Sequence, residues 1–159
     1  MIRIPEDCLG SQAGMERAFA HYFAQLFDGH EDTLNALLKP EVVACDYENK
    51  SLTLAAPVEI WMTNPNGILH GGITATMADM AMGLASRYFA GGKLTPTVNM
   101  NVSYLGSVPV GGRLLCCGKC EKAGFSLVYT SARLWREGAE DSPVATATAT
   151  YYVNHRSPK

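Results

Sequence analysis

The sequence predicts an α+β domain in which an antiparallel sheet wraps around one long central helix. The apolar residues of 73–89 leave almost no polar face, and a helix that is apolar all round has to be buried on every side. Residues 97–153 contain four segments that favour strands, and these provide a sheet that can cover the helix. A shorter helix and a pair of strands come before the long helix in the chain.

The N-terminal part of the chain, residues 1–40, is predicted to be helical. Ala and Phe recur at helical spacing over residues 11–28, where Ser11 can cap the first turn. A shorter helical piece is expected over residues 32–38. The remaining residues, 41–159, form the α+β domain, and the two parts are expected to make one globular unit.

Six segments are predicted to form strands. Residues 97–104 alternate polar and apolar side chains, as in a sheet with two different faces. Glycine-containing turns separate the last strands, which are therefore expected to follow one another as a meander. The predicted strands are residues 42–47, 51–56, 97–104, 113–121, 126–135 and 144–153.

The composition argues against several kinds of partner. The chain has 159 residues and a formal net charge of −2 without a basic run, so neither nucleic acid nor an anionic membrane is expected to bind it. The N-terminus lacks the apolar core of a signal peptide, and the most apolar stretch is interrupted by Thr and Asp. A cytoplasmic location is therefore expected.

The cysteines and histidines do not suggest a metal centre. Cys117 and Cys120 form a C-x-x-C pattern, but no second pair and no nearby His complete a zinc site. Because they fall in a predicted strand, they are interpreted as reduced packing residues. The histidines are scattered along the chain as His21, His30, His70 and His155. We expect no metal and no cofactor.

A single acid, Asp79, lies in the middle of the apolar helix. Burial of a carboxylate is costly and raises its pKa, which suits a general base or a poised nucleophile. The alternative is an Asp that only hydrogen-bonds to a neighbouring loop.

The residues before this helix can polarise a carbonyl group. His70-Gly71-Gly72 stands at the helix start, where backbone N–H groups are unpaired and carry partial positive charge. Such a position can act as an oxyanion hole, or the glycines can simply form a tight turn. Asn64 could position a carbonyl or a water, although a loop Asn more often satisfies its own backbone. Thr97 could hold a water or the thioester, or it could be a strand Thr chosen for its β propensity.

Together these residues resemble the signature of the hot-dog-fold thioesterases, in particular the phenylacetic-acid-degradation type of acyl-CoA thioesterase. The signature has an Asn, a Gly, a His-Gly-Gly and then an acid nine positions past the His. Asn64, Gly67, His70-Gly71-Gly72 and Asp79 stand at these positions. The resemblance covers about the last three quarters of the chain, and it implies a hot-dog fold.

The resemblance also implies a role for each residue. The Gly71 N–H would polarise the thioester carbonyl, and Asp79 would act as nucleophile or as general base on water. Asn64 would orient the water or the carbonyl, while His70 would shape the loop and could contact the thioester. Thr97 matches a Ser or Thr near the reacting centre.

In such a family the site forms between two subunits, so a homodimer or homotetramer is expected. Asp79 and Thr97 of one chain would face Asn64 and Gly71 of the other, because nine helical residues after the His span roughly 13 Å. CoA belongs to the substrate rather than being a cofactor. The implied CoA contacts are Tyr104, Gly106, Ser107, Val108, Pro109, Lys122, Ala123, Gly124, Phe125 and Ser126.

The implied reaction is hydrolysis of an aryl- or medium-chain acyl-CoA to the free acid and CoA. A non-catalytic acyl-CoA-binding sensor or regulator is the main alternative, although it would not need Asp79. A hot-dog dehydratase or hydratase would need a different His-centred motif, and a purely structural oligomer leaves Asp79 unexplained. Several apolar residues could line an acyl pocket or belong to the core: Met62, Met77, Met80, Met82, Tyr88 and Phe89.

Overall fold

The computed structural model describes residues 2–156 and shows a six-stranded antiparallel sheet packed against one long helix. The predicted α+β class is confirmed. The helices are α1 (Gln12–Leu26), α2 (Leu34–Leu37) and α3 (Gly71–Phe89), and the strands are β1 (Glu41–Asp46), β2 (Ser51–Pro57), β3 (Thr97–Tyr104), β4 (Arg113–Ala123), β5 (Leu127–Arg136) and β6 (Pro143–Tyr152). Each predicted helix and strand is present, with its ends within about two residues of the prediction.

The order of the strands corrects one prediction. The sheet runs β1-β2-β4-β5-β6-β3, so β4 to β6 form a meander but β3 does not precede them in space. Instead β3 pairs with β6, with Thr97 opposite Tyr151 and Tyr104 opposite Ala145. The connection after β3 carries the chain back to β2, where β4 pairs. The apolar β4 thus takes an inner position, whereas the more exposed β3 forms an edge.

The central helix lies very close to the sheet at one glycine. A Cβ on Gly118 of β4 would lie 2.4 Å from the carbonyl carbon of Ala81 in α3. Only glycine therefore permits this contact between the backbones of helix and strand.

The helix α3 is not buried on every side, contrary to the prediction. Ala75, Asp79, Gly83 and Arg87 are half-buried, while the residues between them are mostly buried. Their spacing of four places them on one face of the helix. The last three of these residues line a cavity described below, while other faces of the helix pack against the sheet and α1.

The N-terminal segment packs onto the C-terminal half of α3. Ser11 caps α1 by accepting a hydrogen bond from the Gly14 N–H, as predicted. The Tyr88 hydroxyl donates to the Cys8 carbonyl at 3.0 Å, and the Phe19 and Tyr88 rings lie 5.7 Å apart. Residues of α1, α3 and the sheet thus share one hydrophobic core.

Most of the residues considered for an acyl pocket are core residues. Met62, Met77, Met82 and Tyr88 are at most 2% exposed and pack within that core. Burial raises the pKa of the Cys120 thiol, as expected for a packing cysteine. Within residues 2–156, no helix combines the length and the apolarity that crossing a membrane requires.

Candidate active site

The Asp79 carboxylate is held by two hydroxyl groups from the sheet. Its Oδ1 accepts a hydrogen bond from Thr97 Oγ at 2.8 Å and another from the Tyr151 hydroxyl at 2.9 Å. Thr97 opens β3 directly opposite Tyr151 near the end of β6, and α3 crosses this point of the sheet. The second carboxylate oxygen has no partner among residues 2–156 and remains available for chemistry.

Tyr151 is a site residue that the sequence analysis missed. It occupies the same face of β6 as three small buried residues, Ala145, Ala147 and Ala149. A Tyr that follows small residues on the buried face of a strand needs a hydrogen-bond partner for its hydroxyl. This pattern is the signal in the sequence that could have indicated the role of Tyr151. Burial, together with the Asp79 charge, raises the pKa of Tyr151. The phenol therefore stays protonated and remains a donor.

A cavity of about 350 Å³ opens beside Asp79, and we call it the Asp79 cavity. Because of this opening Asp79 is only half-buried, so the prediction of a fully buried acid is wrong for the isolated chain. Met80 alone among the methionines considered for an acyl pocket lines it. The residues that line the Asp79 cavity are Tyr22, Asn35, Asp79, Met80, Gly83, Leu84, Arg87, Leu94, Thr95, Pro96, Thr97, Tyr151 and Asn154.

The start of α3 leaves one backbone N–H group free. His70 is the N-cap residue, and its Nδ1 accepts a hydrogen bond from the Gly72 N–H at 2.9 Å. The next two N–H groups, of Ile73 and Thr74, donate to the His70 carbonyl. The Gly71 N–H has no acceptor among residues 2–156. It is the group that the sequence analysis assigned to polarising a carbonyl, and His70 contributes by shaping this turn.

Asn64 lies in the loop beside this helix start. Its Oδ1 accepts a hydrogen bond from the Asn66 N–H at 2.9 Å, while its Nδ2 has no acceptor among residues 2–156. Gly67, whose φ of 72° favours glycine, closes the turn by donating to the Asn64 carbonyl. The side chain of Asn64 can therefore donate a hydrogen bond to a carbonyl or a water.

A second, smaller cavity of about 200 Å³ lies at this end of α3, and we call it the Gly71 cavity. Four of the predicted CoA contacts line it together with Asn64 and Gly71: Tyr104, Gly106, Ser107 and Val108. The Tyr104 hydroxyl donates to the Gly71 carbonyl at 2.9 Å. Pro109 pairs with Ile68 of the loop and so lies next to the same group.

The predicted site residues thus form two groups that a single chain does not join. Asp79 and Gly71 are eight residues apart on one helix, which separates them by about 12 Å along the axis. The turn of residues 122–126 lies near the Asp79 group, because the Val153 N–H donates to the Ser126 carbonyl. It is therefore remote from Tyr104, since residues 145–152 of β6 span roughly 23 Å.

Comparison with known proteins defines the class. The sequence profile described as the thioesterase superfamily matches residues 66–142, which include the start of α3 and Asp79. Acyl-coenzyme A thioesterase THEM4 of Xenopus laevis is 30% identical over 93 residues, or 58% of this chain and 40% of that protein. Acyl-coenzyme A thioesterase 13 of Mus musculus is 32% identical over 95 residues, or 55% of this chain and 68% of that protein. The chain belongs to the thioesterase superfamily.

Solved structures show the same fold. Thioesterase superfamily member 2 of zebrafish superposes with a TM-score of 0.73 at 26% identity, over 84% of this chain and 96% of that one. A Streptococcus mutans protein bound to acetyl-CoA gives a TM-score of 0.65 at 25% identity, over 75% and 91%. The PaaI protein of E. coli gives 0.74 at 16% identity, over 91% and 96%, which shows the fold alone. The fold is therefore the hot-dog fold, and the phenylacetic-acid-degradation type stays a prediction.

Proposed function

We propose that this protein is an acyl-CoA thioesterase that hydrolyses an aryl- or medium-chain acyl-CoA to the free acid and CoA. The observation that carries the proposal is the setting of Asp79, a single carboxylate on the cavity wall whose Oδ1 is fixed by Thr97 and Tyr151. The names of the related proteins support a thioester hydrolase. The match covers only 40% of the frog protein, so the comparison does not extend to that whole protein.

The two groups of residues supply complementary parts of thioester hydrolysis. The Gly71 N–H and the Asn64 Nδ2 can donate to the thioester carbonyl oxygen, where negative charge develops. Asp79 either attacks the carbonyl carbon or takes a proton from the attacking water. In the first route the C–S bond breaks as a mixed anhydride forms on Asp79, and a water then hydrolyses the anhydride and regenerates the carboxylate. In the second route the water attacks the carbonyl carbon and the C–S bond breaks directly. In both routes the sulfur leaves as the CoA thiolate and takes up a proton, and one water is consumed to give the free acid.

These groups would meet across an interface between two copies of the chain. The edge strand β3 is largely exposed, with Val98 60% and Tyr104 54% accessible to solvent. If two copies pair their β3 edges antiparallel, Thr97 of one copy comes opposite the Tyr104 end of the other. Asp79 then faces the Gly71 cavity of the second chain. The turn from Lys122 to Ser126, on the Asp79 side, would join the same groove as a further contact for CoA.

The test is substitution of Asp79. We expect Asp79→Asn and Asp79→Ala to abolish CoA release from a panel of aryl- and medium-chain acyl-CoA esters, assayed as free thiol. Circular dichroism and the mass in solution should match the wild type. Asp141→Asn, a change of an exposed loop acid, serves as the matched control and should hydrolyse normally.

Near-native hydrolysis by either Asp79 variant would overturn the proposal. Tight binding of acyl-CoA by the wild type with no turnover of any ester would instead favour a non-catalytic acyl-CoA-binding protein.

A further inference from the structure

The far end of the Asp79 cavity carries a positive charge. Asp79, Gly83 and Arg87 follow one another at intervals of four residues on α3, and all three line this cavity. The cavity therefore extends along one face of the helix from the candidate reacting group to a guanidinium. The two helix positions are about 12 Å apart along the axis.

Within residues 2–156, Arg87 has no carboxylate partner. Its Nη2 donates to the Ile2 carbonyl and its Nε donates to the Gly92 carbonyl at 3.4 Å. No Asp or Glu of residues 2–156 forms a salt bridge with it. The side chain is half-buried, and burial lowers its pKa, although a guanidinium stays charged. Its remaining N–H donors can bind a group from outside the chain.

The lining of the cavity changes from one end to the other. Asp79, Thr97 and Tyr151 provide hydroxyl and carboxylate groups at the reacting end, while Met80 and Leu84 provide an apolar wall. Polar side chains return at the other end. Tyr22, Asn35 and Arg87 border both this cavity and an adjoining one of about 380 Å³. Such a lining fits a ligand with an apolar middle and a polar, negatively charged tip.

We propose that the acyl group of the substrate ends in a second carboxylate, which Arg87 binds. The substrate class is the CoA thioester of a short dicarboxylic acid. This inference rests on the proposed thioesterase function, and it replaces the aryl- or medium-chain acyl group with a shorter one that ends in a charge. A carboxylate strongly stabilises a half-buried guanidinium, and Arg binds carboxylates through two parallel N–H···O hydrogen bonds. A span of about 12 Å, less the contacts at both ends, leaves room for roughly four to six carbons.

The test compares two acyl groups with the same five-carbon chain, glutaryl-CoA with a terminal carboxylate and pentanoyl-CoA without it. We expect the wild type to prefer glutaryl-CoA in kcat/KM by at least about tenfold, the value of one charged hydrogen bond. In Arg87→Gln the ratio of the two kcat/KM values should fall by a similar factor. Arg87→Lys keeps the charge but not the planar guanidinium, so its ratio should lie between those of the wild type and Arg87→Gln.

Arg17→Gln is the matched control, because Arg17 also donates to a backbone carbonyl but lies outside the cavity. Its ratio should equal that of the wild type. Arg87 also holds the Ile2 and Gly92 backbone, so its variants could lose stability. Inhibition of the wild type by the free acids needs no variant, and glutarate should inhibit at least about tenfold more strongly than pentanoate.

The outcomes separate this inference from the proposed function. Hydrolysis that depends on Asp79 but shows no preference for glutaryl-CoA, with equal inhibition by the two acids, would overturn the dicarboxylate inference alone. An unchanged ratio in Arg87→Gln would overturn the role of Arg87. If the wild type hydrolyses no ester at all, the thioesterase proposal fails first. The binding of glutaryl-CoA and pentanoyl-CoA to Asp79→Asn, measured by calorimetry, then decides whether the carboxylate is recognised.

Discussion

At the scale of single residues, Asp79 depends on neighbours far away in the sequence. Thr97 and Tyr151 both donate to the same oxygen, Oδ1, and so fix the plane of the carboxylate. The other oxygen is left to act on the substrate or on water. A flexible carboxylate would spend less time in the reactive orientation, so the two hydroxyls are expected to contribute to the rate by positioning.

Tyr151→Phe removes one of these donors, together with the longer contact of the same hydroxyl to the Asp79 backbone carbonyl at 3.1 Å. We expect kcat to fall by roughly 10- to 100-fold, the value of one hydrogen bond to a charged group, with a smaller change in KM. Tyr129→Phe is the control, since Tyr129 is exposed on β5. An unchanged kcat in Tyr151→Phe, or a change confined to KM, would contradict this role.

Tyr151 should also shape the stability of the fold at alkaline pH. Its pKa is raised above the ordinary value of 10.0, first by burial and then by the Asp79 charge. The unfolded chain loses this proton near the ordinary value while the folded chain keeps it. The free energy of unfolding should therefore fall as pH rises above about 10, by up to about 1.4 kcal/mol per pH unit for this group.

Urea unfolding of the wild type and Tyr151→Phe between about pH 9 and pH 11 measures this contribution. The variant should lose stability less steeply with pH, because it has no proton to release there. Parallel curves for the two proteins would show that Tyr151 does not couple to folding.

The sequence predicted Asp79, Thr97 and the Gly71 N–H because each belongs to a local pattern or to a family signature. Tyr151 belongs to neither. Its role follows from the pairing of β6 with β3, which places it opposite Thr97. Arg87 also belongs to no such pattern, because a charge near the end of a helix usually reaches solvent, and only the structure shows that its side chain lines a cavity.

At the scale of secondary structure, local patterns predicted the elements but not their order in the sheet. The alternation in β3 and the turn glycines identify the strands themselves. Which strand pairs with which depends on contacts between distant residues. A meander seemed the simplest connection, but β4 pairs with β2 and leaves β3 at the edge. That edge position exposes β3 and makes it available to a second chain.

The close contact of α3 with β4 gives a prediction for the elements. Gly118→Ala would place a Cβ 2.4 Å from the Ala81 carbonyl carbon and 2.6 Å from its oxygen. Since the clash is with backbone, helix and strand have to separate, and we expect a loss of about 1–3 kcal/mol or more in the free energy of unfolding. Urea denaturation measures it.

Gly83→Ala is the matched control within α3. Its Cβ would meet the Tyr151 ring at 3.5 Å, an ordinary contact, and Ala favours a helix over Gly by up to about 1 kcal/mol. The free energy of unfolding should therefore rise in this variant. If Gly118→Ala were as stable as Gly83→Ala, the helix would not be seated on the sheet as described.

At the scale of the whole molecule, the proposed site needs two copies of the chain, because its two groups of residues lie at opposite ends of β3. Asp79, Thr97 and Tyr151 lie at one end of β3, and Gly71 and Asn64 lie near its other end. A two-fold axis beside β3 would exchange these ends between two copies, so each pair of chains would contain two equivalent sites. The proposed symmetry can be tested without a structure of the complex.

Mixed oligomers test it directly. Asp79→Asn and Asn64→Ala should each be inactive or nearly so as pure proteins. When both are expressed together with different tags and purified through both tags, each mixed dimer contains one site with wild-type Asp79 and wild-type Asn64. Its turnover should therefore recover to about half of the wild-type value per dimer. The control is a mixed dimer of Asp79→Asn with Thr97→Val. One chain supplies both Asp79 and Thr97 to a given site, so no site in this mixed dimer has the wild-type residue at both positions. Its activity should therefore not exceed that of Thr97→Val itself. Failure of the first mixture to recover activity, despite proof that mixed dimers form, would place both groups of residues within one chain or outside the site.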